Sequence, residues 1–164
     1  MKRIDRWKFL TTLPRSDRAG TVPVQVVPMD QAMAFHWHYE VQPAILQCSP
    51  ARADRDWNWT IIEAKVRGFK AEGSRGFVIS RLDCPAPPGV DCGGRPIAMC
   101  ACIGPYDYVA NSEESSVYGW YIATAPRDVL HHRGPRVGRV GEACLDSLVV
   151  LSLRLGLAGR LWLH

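Results

Sequence analysis

The chain has 164 residues, 47% of them hydrophobic, which suits one domain over residues 1–164 with a core of its own. Its net charge of +4, spread over twenty basic and sixteen acidic residues, includes no lysine–arginine tract interleaved with aromatics; this argues against nucleic acid and leaves room for a local anion site. The most apolar stretch, Leu145 to Leu153, holds Asp146 and two serines and is far too short to span a bilayer, and the basic start Met1–Lys8 runs into Arg15, Asp17 and Arg18 instead of a signal core. A soluble, cytoplasmic protein is the expectation.

Along the chain, the N-terminal segment through Val24 reads as an arm or an early strand, with Val24, Val26 and Val27 as its apolar content. Asp30 stands where it would cap a helix over Gln31–Glu40, with Pro43 near its end. His36 and His38 flank Trp37 two residues apart, which a helix does not place on one side, so a chelate is not expected. Asp54 or Asp56 is suited to cap a second helix in which Trp57, Ile61, Ile62, Ala64, Lys65 and Phe69 recur at helical spacing until Gly73. The aromatic residues Phe35, Trp37, Tyr39, Trp57 and Trp59 are expected to fill the core and wall a cleft.

Gly76–Leu82 reads as a strand, a proline- and glycine-rich loop follows, and Arg95–Ile103 reads as a second strand. The cysteines here, Cys84, Cys92, Cys100 and Cys102, lack the two close pairs of a zinc site. Reduced thiols are expected, with a Cys84–Cys92 loop disulfide as the alternative; Cys48 and Cys144 stand apart. Val117–Thr124 is a third strand, stopped by Ala125-Pro126. A helix from Val140 to Leu155 follows, with Val140, Cys144, Leu145, Leu148, Val149, Ser152 and Leu155 on one face and Gly156 as its stop. Arg160–His164 is a last strand. The order helix, helix, three strands, helix, strand implies an α/β chain whose mixed sheet is flanked by helices.

The chemistry concentrates in the loop His131–Glu142, which is basic and glycine-rich and opens a helix. A helix start exposes unpaired N–H groups and a positive dipole end, so an anion docks there. Gly138 and Gly141 would let backbone approach a phosphate, and Arg136 and Arg139 would add charge. His131 and His132 read as polar surface.

The stretch Gly119-Trp120-Tyr121-Ile122-Ala123-Thr124-Ala125-Pro126, then Arg136-x-x-Arg139-x-Gly141-x-Ala143-x-Leu145, then Ser152-x-x-x-Gly156-x-x-Gly159-Arg160-Leu161-x-Leu163, resembles the central acetyl-coenzyme A motif of the GNAT acyltransferases. It covers about a quarter of the chain. The resemblance implies a GNAT-like mixed sheet, an N-acetyltransferase using acetyl-coenzyme A, and a small-molecule or protein amine as acceptor. It implies that backbone groups of Ile122, Ala123 and Thr124 bind pantetheine, and that Arg136, Val137, Gly138, Arg139, Val140, Gly141 and Glu142 wrap the diphosphate. Members often place a glutamate base at the start of the strand before the proline; Glu113 and Glu114 lie there, and Glu114 and Tyr118 are the catalytic candidates. Tyr118 is expected on the strand face of Trp120, Ile122 and Thr124.

Two departures from the pattern stand out. Arg139 occupies the place of the motif's first glycine, and the sequence stops at His164 where the family continues into further elements. The implied C-terminal part is therefore expected to be missing or supplied by a partner, for instance a second copy joined through the exposed last strand. A catalytically silent GNAT-like module that binds coenzyme A or a protein is the alternative reading, and an unrelated phosphate- or nucleotide-binding domain the third.

Overall fold

Six strands form one mixed sheet, in the order β1-β2-β3-β4-β5-β6, in a computed structural model that describes residues 8–48, 50–107, 114–127 and 135–163. The first strand, β1 (Phe9–Pro14), forms a hairpin with β2 (Thr21–Pro28), pairing Phe9 with Val26 and Pro14 with Thr21. Only the valine-rich β2 was legible in the sequence. Of β1 only Leu13 is buried, so this edge strand lacks the apolar alternation that marks a core strand.

Asp30 caps α1 (Gln31–His36) as its position suggests, its Oδ1 accepting from the Met33 N–H at 2.8 Å. The helix does not end near Pro43. It passes through a π-helical turn (Trp37–Val41), where the Gln42 N–H reaches back to the Trp37 carbonyl, and continues as α2 (Gln42–Cys48). Proline lacks an N–H and crowds the preceding turn, and a π-type turn just before it accommodates both. The next helix, α3 (Trp59–Gly68), is capped by Asn58 and not by Asp54 or Asp56: the Asn58 side chain accepts from the Thr60 and Ile61 N–H groups. Trp59, fully buried, makes edge-on contact with Trp37 and Trp57, which fixes α3 against the π turn.

Strands β3 (Ser74–Arg81), β4 (Arg95–Tyr106) and β5 (Ser116–Thr124) continue the antiparallel run, and α4 (Val140–Arg154) carries the chain over to β6 (Leu161–Leu163), which pairs with β5 in parallel. The core is the valine and isoleucine stock of β2, β3 and β4 together with Leu148 and Leu151 of α4. Glycine at 119 lets the side-chain ends of Leu163 and Leu148 come close: a Cβ would stand 2.7 Å from the first and 3.0 Å from the second. That close approach sets α4 and β6 against β5. On α4 the buried face is Val140, Ala143, Cys144, Ser147, Leu148, Leu151 and Ser152; the predicted Leu145 and Val149 lie at its margin. Trp162 and Leu163 are about half exposed on the outermost strand, at 46% and 45%. No helix among the described residues is long and apolar enough to cross a membrane.

All six cysteines are free thiols, Cys84 and Cys92 included, and only Cys48 is exposed. Burial pushes the Cys102 and Cys144 thiols up to about 12, and Cys100 well above its ordinary value. A thiol reagent needs both access and a thiolate. Native protein should therefore react at Cys48 alone, with the other five labelled only after unfolding, as mass spectrometry of a timed labelling reaction would read. Rapid native labelling of Cys100, Cys102 or Cys144 would contradict this packing.

Candidate functional site

The site lies along the part of β5 that follows its last described pairing with β6. β6 pairs with β5 only at Val117, Tyr118 and Gly119, while β5 runs on to Thr124. On the other side β5 stays paired with β4, but its register jumps: Ala101 faces Tyr121 and Cys102 faces Gly119, so Trp120 is an extra, bulged residue. A bulge breaks the strict alternation of side chains. Trp120 and Tyr121 accordingly both reach the side occupied by α3, with the Lys65 ammonium 5.8 Å and 5.9 Å from their rings. Phe69 packs edge-on against Trp120, and Trp57 against Tyr121. Ile122 falls on the opposite side, its Cδ1 beside the Gly119 position near Leu148. The expectation that Tyr118, Trp120, Ile122 and Thr124 share one face is therefore corrected: the bulge separates Trp120 from Ile122.

Beyond the bulge, the Ala125 N–H donates to the Ile97 carbonyl at 2.9 Å, which turns the backbone of Ala125 and, by alternation, of Ala123 toward β4. The N–H and C=O groups of Ile122 and Thr124 then point to the β6 side, where no strand pairs them among the described residues. The Thr124 carbonyl accepts from Arg52 Nη2 at 2.8 Å. Arg52 is itself gripped by Asp54, Nε to Oδ1 at 2.8 Å and Nη2 to Oδ2 at 2.6 Å.

The end of β5 opens into a cleft of about 760 Å³ that also meets the start of α4. Thr124 lines it together with Arg136, Val137, Gly138, Arg139, Val140, Gly141 and Glu142, so the structure gathers eight of the ten predicted binding residues around one space. Ile122 and Ala123 lie just upstream on β5, Ala123 buried. The loop is anchored from an unforeseen direction: Ser16 N–H donates to the Arg136 carbonyl and Gly138 N–H to the Pro14 carbonyl, bridging Val137 to Arg15 beyond β1. The Gly138 amide is thereby committed.

The first bond inside α4 is from the Ala143 N–H to the Arg139 carbonyl, so the amides of Val140, Gly141 and Glu142 have no intrahelical acceptor. The N-cap residue, Arg139, offers no side-chain acceptor either. It adopts φ 56°, ψ 30°, the left-handed conformation that favours glycine and costs other residues about 1–2 kcal/mol. A glycine at 139 would meet this backbone demand without strain. The Arg139 side chain is 70% exposed and stands 3.6 Å from the Glu142 carboxylate.

The catalytic candidates lie at the other end of β5. Glu114 precedes the strand and its carboxylate sits 3.1 Å from Arg160 Nη1, 65% exposed. Tyr118 stacks on Tyr106 at 5.0 Å, and burial, then the neighbouring Tyr106, raise its phenol above the ordinary value. Glu113, His131 and His132 lie outside the described residues. Arg52, Ser16 and Arg127 also line the cleft and were not singled out by sequence, because nothing in local spacing links residue 16 or 52 to a loop at 136. Among the described residues no group of three or more His, Cys, Asp or Glu side chains is placed to hold a metal ion. The chain matches no family model, no curated protein and no solved structure.

Two substitutions test the backbone argument by thermal denaturation. Arg139→Gly should raise stability by about 1 kcal/mol by relieving the left-handed conformation. Gly141→Ala should raise it by a similar amount, about 1 kcal/mol, because nothing lies within 4 Å of a Cβ there and alanine is the better helix former. A loss of stability in either variant would contradict the geometry described.

Proposed function

We propose that the chain binds acetyl-coenzyme A in this cleft and transfers its acetyl group to an amine, as a GNAT-type N-acetyltransferase. One observation carries the reading most: Gly141. It sits in the first turn of α4, at a cost to helix stability of about 1 kcal/mol relative to alanine, with open space beside it and no packing reason to be glycine. A bare backbone at an uncapped helix start suits a ligand that must come close to the amides. The amides of Val140, Gly141 and Glu142 would receive the diphosphate, and Arg136 and Arg139 would add charge from the rim. The outward groups of Ile122 and Thr124 suit pantetheine, which pairs with an open strand edge as another strand would.

In that pose the thioester lies along β5 toward the bulge. The amine nitrogen attacks the carbonyl carbon, a strand N–H near Trp120 meets the developing oxyanion, and coenzyme A leaves as the thiol. Tyr118 stands two residues from the bulge with its phenol held protonated, which suits donation to the leaving sulfur and opposes a role as base. Glu114 is less well placed as the base: six residues separate it from Trp120, about 20 Å along a strand, and it is engaged with Arg160. The commitment of Glu114 favours a second reading, a coenzyme A-binding module without turnover.

Acetyl-coenzyme A titration by calorimetry, with a thiol-release assay over a panel of amines, separates these readings. Binding with turnover supports the transferase, binding without turnover the silent module. Gly141→Trp should remain folded, since the space beside it is open, and lose binding at least tenfold. Unchanged affinity in the folded variant would remove the diphosphate from this helix start. Tyr118→Phe should lower turnover with little change in coenzyme affinity if the phenol donates the proton.

A further inference from the structure

Four arginines from three separate segments border the cleft, and they differ in how they are held. Arg127, Arg136 and Arg139 are exposed or lie at the rim; the Arg139 side chain is 70% exposed and its partner Glu142 is equally loose at 64%. Arg52 is only 24% exposed. It comes from the connection between α2 and α3, more than seventy residues before the loop. Asp54, itself 7% exposed, binds it through two parallel bonds, and the Asp54 backbone carbonyl in turn accepts from buried Gln42 at 2.7 Å. A third bond pins Nη2 to Thr124 at the mouth of the cleft. Nε and Nη2 are thereby used, and Nη1 is left with no hydrogen-bond partner among the described residues.

We infer that Arg52 is the fixed cation of the cleft, a diphosphate-binding residue supplied from outside the loop at the α4 start, with Nη1 as the donor to a phosphate oxygen. This inference rests on the reading of the cleft as a coenzyme A site. Asp54 cancels much of the long-range charge of Arg52, so its contribution is a directional bond, not steering. The gain lies in preorganisation: a guanidinium already locked in one rotamer loses little side-chain entropy when the ligand arrives, whereas the exposed Arg136 and Arg139 must be ordered at that moment. A charge-assisted bond from such a donor is worth about a tenfold change in affinity. Arg52 also ties the phosphate end of the site to the strand edge, because the same guanidinium holds the carbonyl of Thr124.

Arg52→Ala and Arg52→Lys separate a ligand contact from a merely structural pin. Coenzyme A, pantetheine and inorganic pyrophosphate would each be titrated into the wild type and both variants, with circular dichroism confirming the fold. We expect Arg52→Ala to weaken coenzyme A and pyrophosphate about tenfold and pantetheine less than twofold. Lysine, which cannot reproduce the two-pronged bond to Asp54, should not restore the loss, and if alanine unfolds the chain the lysine variant carries the test alone. Equal weakening of pantetheine and coenzyme A, or no weakening of either, would overturn the inference and leave Arg52 as a pin for β5. If the wild type binds pyrophosphate but not coenzyme A, and Arg52→Ala loses pyrophosphate, the role of Arg52 stands and the coenzyme reading falls. Wild type that binds neither sinks both.

Discussion

The architecture depends on one strand having two different neighbours along its length. β5 is paired with β4 from Ser116 to Thr124, but β6 accompanies it only as far as Gly119. Backbone N–H and C=O groups are costly to leave unpaired once they are shielded from water. On the β6 side of the stretch after Gly119, Arg52 meets one such group, the Thr124 carbonyl. The bulge at Trp120 falls at the same place. It shifts the register of β5 on β4 and throws two aromatic rings to the α3 side together.

Gly119 marks the closest approach of β5 to the leucines of β6 and α4. Leu163 and Leu148 both lie close to where its Cβ would be, so β6 and α4 meet the strand at that residue. α4 then leaves its own N-terminus at the far end of β5, beside the opened edge. Among the described residues, this strand edge and the start of α4 both present backbone groups that no other backbone group pairs. The edge offers donors and acceptors to an amide chain, while the helix start offers donors alone and hence selects an anion. A ligand with amides at one end and phosphate at the other would satisfy both, and this match, more than the basic residues, is why we propose coenzyme A over a plain nucleotide.

The sequence made the second half of this chain far more legible than the first. Strands β3, β4 and β5 and helix α4 announce themselves because apolar period, glycine and proline coincide at their boundaries, so Pro126 and Gly156 fall where local chemistry demands. β1 was hidden because an edge strand has little to bury, and its Leu10 is 69% exposed. Extension of the first helix beyond Pro43 was hidden because local rules place proline at a helix boundary, and only tertiary burial of Trp37 and Ile45 overrides them. The bulge at Trp120 carries no composition signal at all, which is why the faces of β5 could not be assigned from alternation. Arg52 illustrates the general limit: its partners at 54 and 124 become a site only through the fold.

Arg139 is the point at which local and functional demands part. Its left-handed backbone is what a glycine would supply without strain, and the arginine costs stability without closing the cleft, since its side chain is exposed. The arginine therefore has to be judged by what it does at the rim. There it sits 3.6 Å from Glu142, a carboxylate that favours the helix dipole but would repel an incoming phosphate. Pairing with Arg139 reduces that repulsion, although so exposed a pair is too weak to match the backbone strain at residue 139. Replacing the arginine by glycine would relax the backbone and at the same time leave Glu142 uncompensated beside the anion. Stability and ligand affinity should thus move in opposite directions at this one position, which a purely structural account of the loop does not require.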